Sequence, residues 1–421
     1  MTLKMVARTG HPDFLDLPRH APLEGWESDR LVEVPRGISR HVVRFVDYGG
    51  ALYALKELPA WLAEREYRLL RRLADESIPV VEVVGVVDRA LPGGRSSHDG
   101  DSVLITRHLD FSLPYRTLIA RGGIRDLGDR LLDALAELLV RLHLAGFYWG
   151  DCSLSNTLFR RDAGRLAAYL VDAETGEMHP RLSEGQRAYD LQLAEFNLAG
   201  ELMDLQAAGE LPEGLDPLEM SGEIRHRYER LWSELTREEV FGASERYRIE
   251  ARLRRLNELG FDVRELELVA CEGGYRLRVH THVVEPGHHR RRLLMLTGLD
   301  VQENQARRLL HDIAGFRAHL ERRTGEALPE AVAAARWLVG VFQPTIERIP
   351  PEALRSAGLE PAEAFHEILE HRWFRSEEQG RDVGLDDAVD SYVQEQLGDA
   401  AAGTARSRRS SDEGTFDQAS S

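Results

Sequence analysis

Two neighbouring stretches decide the fold of this chain: Trp149-Gly-Asp-Cys-Ser-Leu-Ser-Asn-Thr-Leu-Phe159 and Leu170-Val-Asp-Ala-Glu174. The first stretch is predicted to be a loop that carries Asp151 and Asn156, and the second ends the predicted strand 166–171 with Asp172. Carboxylate and amide oxygens on separate turns can surround a hard cation such as Mg²⁺, which His or Cys would bind poorly. The pattern therefore favours a metal site over the alternative, in which these residues only shape turns around a hairpin.

One lysine stands out upstream of these stretches. Only Lys4 and Lys56 are lysines among the 54 basic residues, and the others are arginines. Arginine can replace lysine on a surface, but not where a compact ammonium charge is needed. Lys56 lies near the end of the last of three predicted strands, at 31–34, 41–46 and 51–58. Lys56 is therefore the candidate cation to face the acidic loop.

Helices and strands are predicted around these residues. Apolar residues recur at helical spacing in 60–74, 126–146 and 186–204, and apolar runs at 78–87 and 103–109 predict two further strands. His143 lies near the end of the second helix and Asp190 near the start of the third. We expect structural roles for both, with Asp190 capping its helix or bracing the loop after residue 148.

Composition limits the class of protein. The 421 residues suggest two or three domains, and 43% hydrophobic residues are enough for packed cores. The sequence contains no run of about 18 apolar residues, so no membrane span is predicted. The N-terminus has no apolar signal-peptide core. Cys152 and Cys271 are too few to form a disulfide framework. These three observations together predict a cytoplasmic protein. The net charge of −17 argues against general nucleic-acid binding.

The second half has a different pattern. Residues 221–259 predict charged helices, 264–284 predict strands, and 301–398 predict helices broken by prolines. His280, His282, His288 and His289 raise a metal hypothesis, but no Cys or suitably spaced carboxylate completes it, so a basic turn or a plain surface hairpin is favoured. The small and polar residues after 398 predict a disordered tail.

Together these features resemble the protein-kinase-like superfamily over about residues 31–205. The pattern Leu-His-x-x-Gly-x-x-x-Gly-Asp-x-x-x-x-Asn from Leu142 to Asn156 resembles lipopolysaccharide-kinase-like (Kdo/WaaP-type) proteins and the aminoglycoside and choline phosphotransferases. Val-Asp-x-Glu at 171–174 resembles the metal motif of those phosphotransferases. The whole chain is similar to an actinobacterial family that joins a lipopolysaccharide-kinase-like domain to a C-terminal domain of unknown function.

The resemblance implies a role for each site residue. Lys56, oriented by a Glu from the helix 60–74, would bind ATP phosphates; Glu66 is the first choice for that Glu, and Glu64 is the second. Asn156 and Asp172 would hold Mg²⁺, and Asp151 would act as the base or orient the acceptor hydroxyl.

The first hairpin would then cover the nucleotide phosphates. Gly37 is the only glycine of its turn, and Ser39, together with Arg36 and Arg40, is a candidate to contact phosphate through the side chain or the backbone N–H. An ordinary hairpin turn is the open alternative.

The expected fold class is α+β, with a two-lobed protein-kinase-like domain followed by a mostly helical α+β domain. The expected segments are an N-terminal extension at 1–30, an N-lobe at 31–107, a C-lobe at 108–205, a linker and helix at 206–239, a C-terminal domain at 240–398 and a disordered tail at 399–421. The expected cofactors are ATP and Mg²⁺, the expected partners are ATP and an acceptor of unspecified class, and a protein partner could bind the C-terminal domain.

Departures from the family pattern keep two alternatives open. Trp149 stands where many relatives have His, Ala173 stands where protein kinases have Phe, and no long activation loop or Ala-Pro-Glu segment follows Asp172. The missing segment favours a small-molecule or atypical acceptor over a peptide. The alternatives are a nucleotide-binding pseudokinase that regulates a partner-binding C-terminal domain and, less favoured, a nucleic-acid-associated atypical kinase with Arg-rich helices after 221.

Overall fold

The computed structural model describes residues 5–7, 10–18, 21–34, 40–88, 101–121, 126–211, 215–237, 239–241, 246–263, 266–271, 274–279, 284–379, 381 and 383–397. The chain forms two compact units. The first comprises Met1–Arg160 and Leu166–Pro286, and the second comprises Arg161–Arg165 and Gly287–Ser421. In the described ranges, no helix combines the length and the apolar character needed to span a membrane.

The first unit begins with an antiparallel sheet. Its strands are β1 (Met5–Ala7), β2 (Leu31–Val32), β3 (Val43–Tyr48), β4 (Ala51–Pro59), β5 (Glu82–Asp88) and β6 (Asp101–Arg107). Their order in the sheet is β1-β5-β6-β4-β3-β2. Lys56 lies opposite Val43 of β3 and Leu104 of β6. Hydrogen-bonded neighbours on both sides fix the backbone that presents this lysine.

Helix α1 (Ala60–Asp75) follows β4 directly and packs on one face of the sheet. Its buried stripe contains Leu62, Glu66, Leu70 and Leu73, which recur at helical spacing. A carboxylate in an otherwise apolar stripe requires a charged or hydrogen-bonding partner, because burying it unpaired is costly. The helix thus presents Glu66 to the interior of the lobe.

The opposite face of the sheet is covered by the N-terminal segment. Phe14, Leu23 and Trp26 are buried there against residues that include Val103 and Ile105 of β6, whereas Leu104 between them belongs to the core under α1. This alternation follows from the period of two along a strand. The N-terminal segment therefore contributes to the core of the first lobe.

The second lobe is mainly helical. Its elements are β7 (Ser112–Leu113), α2 (Tyr115–Arg121), α3 (Leu127–Leu144), β8 (Phe147–Tyr148), β9 (Thr157–Asp162), β10 (Arg165–Leu170), β11 (Glu177–Met178), α4 (Glu184–Ala207) and α5 (Pro217–Thr236). The Ser183 side chain and Gln186 form a capping box that starts α4, and Asp216 with Pro217 starts α5. Helix α5, which lies in the segment 206–239 expected as a linker and helix, packs on α3 and α4.

The first unit ends in short elements: β12 (Glu239–Phe241), α6 (Arg246–Glu258), β13 (Phe261–Val263), β14 (Leu266–Cys271), β15 (Gly274–Val279) and β16 (Val284–Pro286). β12, β15 and β14 form one antiparallel sheet, and β13 pairs with β16.

The second unit is helical in its described C-terminal part. Its helices are α7 (His288–Thr297), α8 (Glu303–Thr324), α9 (Glu330–Trp337), α10 (Gln343–Glu347), α11 (Pro351–Ala357), α12 (Pro361–Gln379) and α13 (Leu385–Tyr392), with π-helical turns at Leu338–Phe342 and Val393–Leu397. Trp337, Phe342 and Phe365 form an aromatic cluster in its core. The chain is therefore of the expected α+β class, with the sheets concentrated in the first unit and a helical part following.

The second unit also contains the turn between β9 and β10. The Asp162 carboxylate accepts hydrogen bonds from the backbone N–H of Asn304 (3.1 Å) and of Gln305 (2.7 Å) at the start of α8. The backbone N–H of Ala163 donates to Glu363 of α12 over 2.7 Å. Free N–H groups at a helix start attract a carboxylate, so Asp162 caps α8 from a distant part of the sequence.

Candidate active site

Lys56 lies at the centre of a cluster of carboxylates. Its Nζ atom is 2.6 Å from Asp172 Oδ2, 3.1 Å from Glu66 Oε2 and 3.4 Å from Glu174 Oε2. The Glu66 side chain is only 1% exposed and also accepts the backbone N–H of Ala173 over 3.3 Å. One ammonium thus faces three carboxylates, and the surplus of negative charge fits a site that receives a cation.

The charges of this cluster affect one another. Burial acts against the charged form of Lys56, but the neighbouring Glu66 and Asp172 carboxylates outweigh it and raise the pKa of Lys56. Burial and the charge of Asp172 raise the pKa of Glu66, although Lys56 opposes this effect. Lys56 therefore remains an ammonium ion, while Glu66 holds a proton more readily than an exposed glutamate does.

Asp151 lies on the loop between β8 and β9, within hydrogen-bond reach of three side chains. Its Oδ2 atom accepts from Arg40 Nη2 (2.6 Å) and Asn156 Nδ2 (3.2 Å), and its Oδ1 atom accepts from Asn197 Nδ2 (3.2 Å). Asn156 also donates to the Asp151 backbone oxygen over 3.1 Å. These contacts fix the orientation of the carboxylate, which is what a group that aligns an acceptor hydroxyl requires.

Helix α4 anchors both ends of this loop. At one end the fully buried Asp190 carboxylate accepts the backbone N–H of Trp149 (2.7 Å) and of Gly150 (2.8 Å). At the other end Glu201 accepts the backbone N–H of Leu154 (2.7 Å) and of Ser155 (2.8 Å). Both carboxylates satisfy loop donors that would otherwise be unpaired. Of the two roles expected for Asp190, capping its helix or bracing the loop, the structure shows that it braces the loop.

His143 is buried beside Asp190. Its Nε2 atom lies 3.0 Å from Asp190 Oδ2, and its Nδ1 atom lies 2.7 Å from the Tyr228 hydroxyl of α5. Burial lowers the pKa of His143, against the opposing effect of Asp190. His143 therefore supports the loop from behind and does not line the cleft.

Trp149 joins the two stretches that carry the site. Its indole Nε1 donates to the Asp172 backbone oxygen over 3.1 Å, and its own backbone oxygen accepts from Thr175 Oγ1 over 2.8 Å. The side chain is fully buried. An imidazole would supply a ring N–H as the indole does, so the departure at Trp149 does not by itself remove a catalytic function.

The cluster opens into a cleft of about 520 Å³ between the two lobes of the first unit. Such a volume is within the usual range for small-molecule sites. One part of its lining is apolar and suits the flat ring of a ligand. This part comprises Val43, Phe45, Ala54, Val81, Leu158 and Val171. Another part is polar and comprises Arg40, Lys56, Asp151, Ser153, Ser155, Asn156, Asp172, Glu174, Asn197, Glu201 and Asp204.

The residues proposed to hold a metal fit Mg²⁺ in donor type. Asp172 supplies a carboxylate, and the Asn156 amide N–H₂ faces Asp151, which leaves its carbonyl oxygen for another partner. Within the described ranges, no three His, Cys, Asp or Glu side chains cluster as a self-sufficient metal site. Mg²⁺ is commonly held by one or two protein ligands together with substrate phosphates and water, so this sparse set is consistent with it.

The structure brings most of the predicted site residues together. Lys56, Asp151, Asn156 and Asp172 line one cleft, and Glu66 is bonded behind Lys56. Gly37 and Ser39 lie outside the described residues, as do His280 and His282 of the metal hypothesis. His288 and His289 begin α7, where His289 Nδ1 lies 2.7 Å from Glu303 Oε1.

Sequence reasoning missed Asn197 and Glu201. A signal was present, because Asp190, Asn197 and Glu201 are spaced i, i+7 and i+11 and therefore share one face of α4. Polar residues repeated on one face of a helix indicate a polar neighbour, which here is the loop at 149–156.

Two family models match separate parts of the chain. Residues 51–206 match the lipopolysaccharide kinase (Kdo/WaaP) family, and residues 230–397 match a domain of unknown function, DUF4032. Among solved structures, WaaP in complex with acyl carrier protein is 19% identical, with a TM-score of 0.31 over 48% of this chain and 88% of the other. An aminoglycoside-3'-phosphotransferase of type VIII is also 19% identical, with a TM-score of 0.31 over 48% of this chain and 86% of its own. A comparison with curated proteins gives no match.

The family match covers the strand of Lys56, the helix of Glu66 and the loop of Asp151, so it includes most of the residues that line the cleft. The chain is therefore a kinase-type phosphotransferase in which a domain of the lipopolysaccharide kinase (Kdo/WaaP) family is joined to a DUF4032 domain.

Proposed function

We propose that the chain transfers the γ-phosphoryl group of ATP, in a Mg²⁺-dependent reaction, to a hydroxyl group of a small-molecule or otherwise atypical acceptor. The observation that carries the proposal is the position of Lys56, which bonds Glu66 and Asp172 at once. A lysine held between a helix Glu and a metal-binding Asp is the arrangement that kinases use to bind ATP phosphates.

Each side chain has a separate part in this reaction. Lys56, oriented by Glu66, binds phosphate oxygens, and Asn156 and Asp172 hold the metal. When bound, Mg²⁺ supplies positive charge that offsets the charge of the phosphates. Asp151 accepts the hydroxyl proton as the acceptor oxygen forms its bond to phosphorus and the bond to the ADP oxygen breaks.

The short segment after Asp172 supports the choice of acceptor class. Only the two-residue strand β11 and irregular turns separate Asp172 from Ser183, the cap of α4. Arg65 donates to the backbone oxygens of Glu174 (2.9 Å) and Gly176 (2.7 Å), which ties this segment to α1. A segment so short and so tethered leaves little chain to form a peptide-binding platform.

The test measures binding and turnover separately. Isothermal titration with Mg·ATP should give binding to the wild type and a loss of at least about tenfold in affinity for Lys56→Met and Asp172→Asn, because each removes a charged phosphate or metal contact. Asp151→Asn should bind Mg·ATP like the wild type but lose turnover. Equal ATP turnover by the wild type, Asp151→Asn and Asp172→Asn would contradict the proposal.

The acceptor can be sought with the same variants. Purified wild type and Asp151→Asn, each incubated with a bacterial metabolite extract and a protein extract, should differ in phosphorylated products detected by mass spectrometry. A product that appears only with the wild type identifies the acceptor class.

A further inference from the structure

We propose that Arg40 is a further catalytic residue, whose guanidinium leaves Asp151 when nucleotide binds and contacts the phosphoryl group in transit. This inference rests on the proposed function and assigns to Arg40 a role that is distinct from that of Lys56. It starts from a single contact: Arg40 of the first lobe reaches across the cleft and places Nη2 2.6 Å from Asp151 Oδ2.

The Arg40 side chain is not held as a structural arginine would be. It is 73% exposed, whereas its partner Asp151 is 23% exposed. Among the described residues, Asp151 is the one hydrogen-bond acceptor of its guanidinium, which carries five N–H donors. An exposed ion pair of this kind contributes little to stability, so neither the fold nor this contact accounts for a cation at the mouth of the site.

The position of Arg40 complements that of Lys56. Lys56 is committed to Glu66, Asp172 and Glu174 at one part of the cleft. The acceptor hydroxyl in the proposed reaction meets Asp151, and the phosphoryl group moves toward that oxygen. Both the phosphoryl group and the Asp151 carboxylate carry negative charge. Arg40 is bonded to Asp151, so its positive charge lies where these two groups must approach each other.

The chemistry of the group suits the role. Phosphoryl transfer spreads negative charge over the equatorial oxygens, and an arginine placed there stabilises that charge. The guanidinium can bind two phosphate oxygens at once in its planar fork, which an ammonium cannot do. While no phosphate is present, Asp151 is the nearest anion, and pairing with it holds Arg40 at the place where it is needed.

A contrary role for the same contact is an inhibitory latch that blocks Asp151. The two roles predict opposite results on removing the side chain. If Arg40 serves the transferred phosphoryl group, its loss weakens binding only of ligands that carry that group or a mimic of it. If it is a latch, its loss leaves binding unchanged or improves it, and turnover rises.

The experiment compares three ligands with the full-length protein: Mg·ADP, Mg·ATP and Mg·ADP with aluminium fluoride, which imitates the phosphoryl group in transit. Titration of Arg40→Ala should show Mg·ADP affinity within about twofold of the wild type, Mg·ATP affinity about tenfold weaker and the aluminium fluoride complex about a hundredfold weaker. Arg40→Lys should fall between the wild type and Arg40→Ala, because it keeps the charge but loses the fork.

The matched control is Arg68→Ala, which removes one exposed charge from helix α1 of the same lobe. Among the described residues, Arg68 donates to the Glu64 backbone oxygen over 3.2 Å. It should leave all three affinities unchanged. Thermal unfolding without ligand should be the same for Arg40→Ala and the wild type, since Arg40 is exposed.

Several outcomes would overturn the role of Arg40. An equal loss for all three ligands, no loss for any, or faster turnover in Arg40→Ala each contradicts it while leaving the proposed function intact. Failure of the wild type itself to bind Mg·ATP would instead overturn the proposed function, and the role of Arg40 with it.

Discussion

The indole N–H of Trp149 donates a hydrogen bond to the backbone oxygen of Asp172 over 3.1 Å. The bond joins the start of the loop that carries Asp151 and Asn156 to the end of the strand that presents Asp172. The donor side chain is fully buried and the bond is part-buried, which shields it from solvent. Two pieces of the candidate site that are separate in sequence are thereby held in one relative position.

Loss of this bond should affect both stability and the metal-binding residue. Trp149→Phe keeps most of the apolar volume but leaves the Asp172 oxygen without its donor, and we expect a loss of about 1–2 kcal/mol in the free energy of unfolding. Mg·ATP binding should weaken as well, since Asp172 is less well positioned. Urea unfolding and titration calorimetry measure the two effects. A Trp149→Phe variant equal to the wild type in both would show that the bond is unimportant.

Asp190 should be the most sensitive position of α4. Asp190 is a buried acceptor of three hydrogen bonds, and in Asp190→Asn the new amide N–H₂ faces other donors. We therefore expect a loss of about 3 kcal/mol or more in the free energy of unfolding. Asp204→Asn, at an exposed site on the same helix, should change stability by less than about 0.5 kcal/mol. Urea unfolding followed by tryptophan fluorescence gives both values. Similar losses in the two variants would contradict the bracing role of Asp190.

The pH dependence of stability should report on Glu66. Burial and the charge of Asp172 raise its pKa, against the opposing effect of Lys56, so the folded chain binds this proton more tightly than the unfolded chain does. Stability from this group is therefore present at low pH and is lost as pH rises, over about pH 5 to 8. We expect Glu66→Gln to remove that part of the decline.

The measurement is the difference between variants, because buried His143 acts in the opposite direction. Burial lowers the pKa of His143, which makes stability rise as pH increases through its usual range. Thermal unfolding of the wild type, Glu66→Gln and Glu64→Gln should be recorded at several pH values without nucleotide. Glu64→Gln, on the same helix, should follow the wild type. If Glu66→Gln follows it too, the proton of Glu66 is not linked to folding.

Asp162 should stabilise the start of α8 in the second unit. Asp162→Ala leaves the part-buried N–H of Asn304 and the buried N–H of Gln305 without their acceptor, at an expected cost of about 2–3 kcal/mol. Hydrogen exchange should become faster at the first turn of α8. Asp300→Ala, which removes an exposed partner of Arg290, should cost no more than about 1 kcal/mol. Unchanged exchange at α8 in Asp162→Ala would rule out the capping role.

Much of the first unit could be predicted from local patterns. The strands at 43–48 and 51–59 and helices α1, α3 and α4 lie close to the predicted ranges, because period-two and period-3.6 patterns act over adjacent residues. Helix α2 was not predicted, since a helix of seven residues gives too short a period to recognise. The roles assigned to Lys56, Glu66, Asp151, Asn156 and Asp172 stay predictions, although the structure brings these residues together.

Contacts between distant residues were beyond sequence reasoning. Arg40 meets Asp151 across 111 positions, and Asp162 meets Gln305 across 143. The residue types at such positions are ordinary surface and turn residues, and no local period links them. Only the packing of the elements that carry them determines which donor finds which acceptor.

The sequence by itself therefore determined the type of chemistry, because residue type and short-range spacing can be read directly from it. It showed one lysine near the end of a predicted strand, a glutamate in an apolar helical stripe, and Asp and Asn residues in a predicted loop and at the end of a predicted strand. The tertiary structure alone decided how that chemistry is held. Trp149 joins the stretches 149–159 and 170–174, and Asp190 and Glu201 anchor the loop between β8 and β9. Such hydrogen bonds depend on which groups the fold removes from water together.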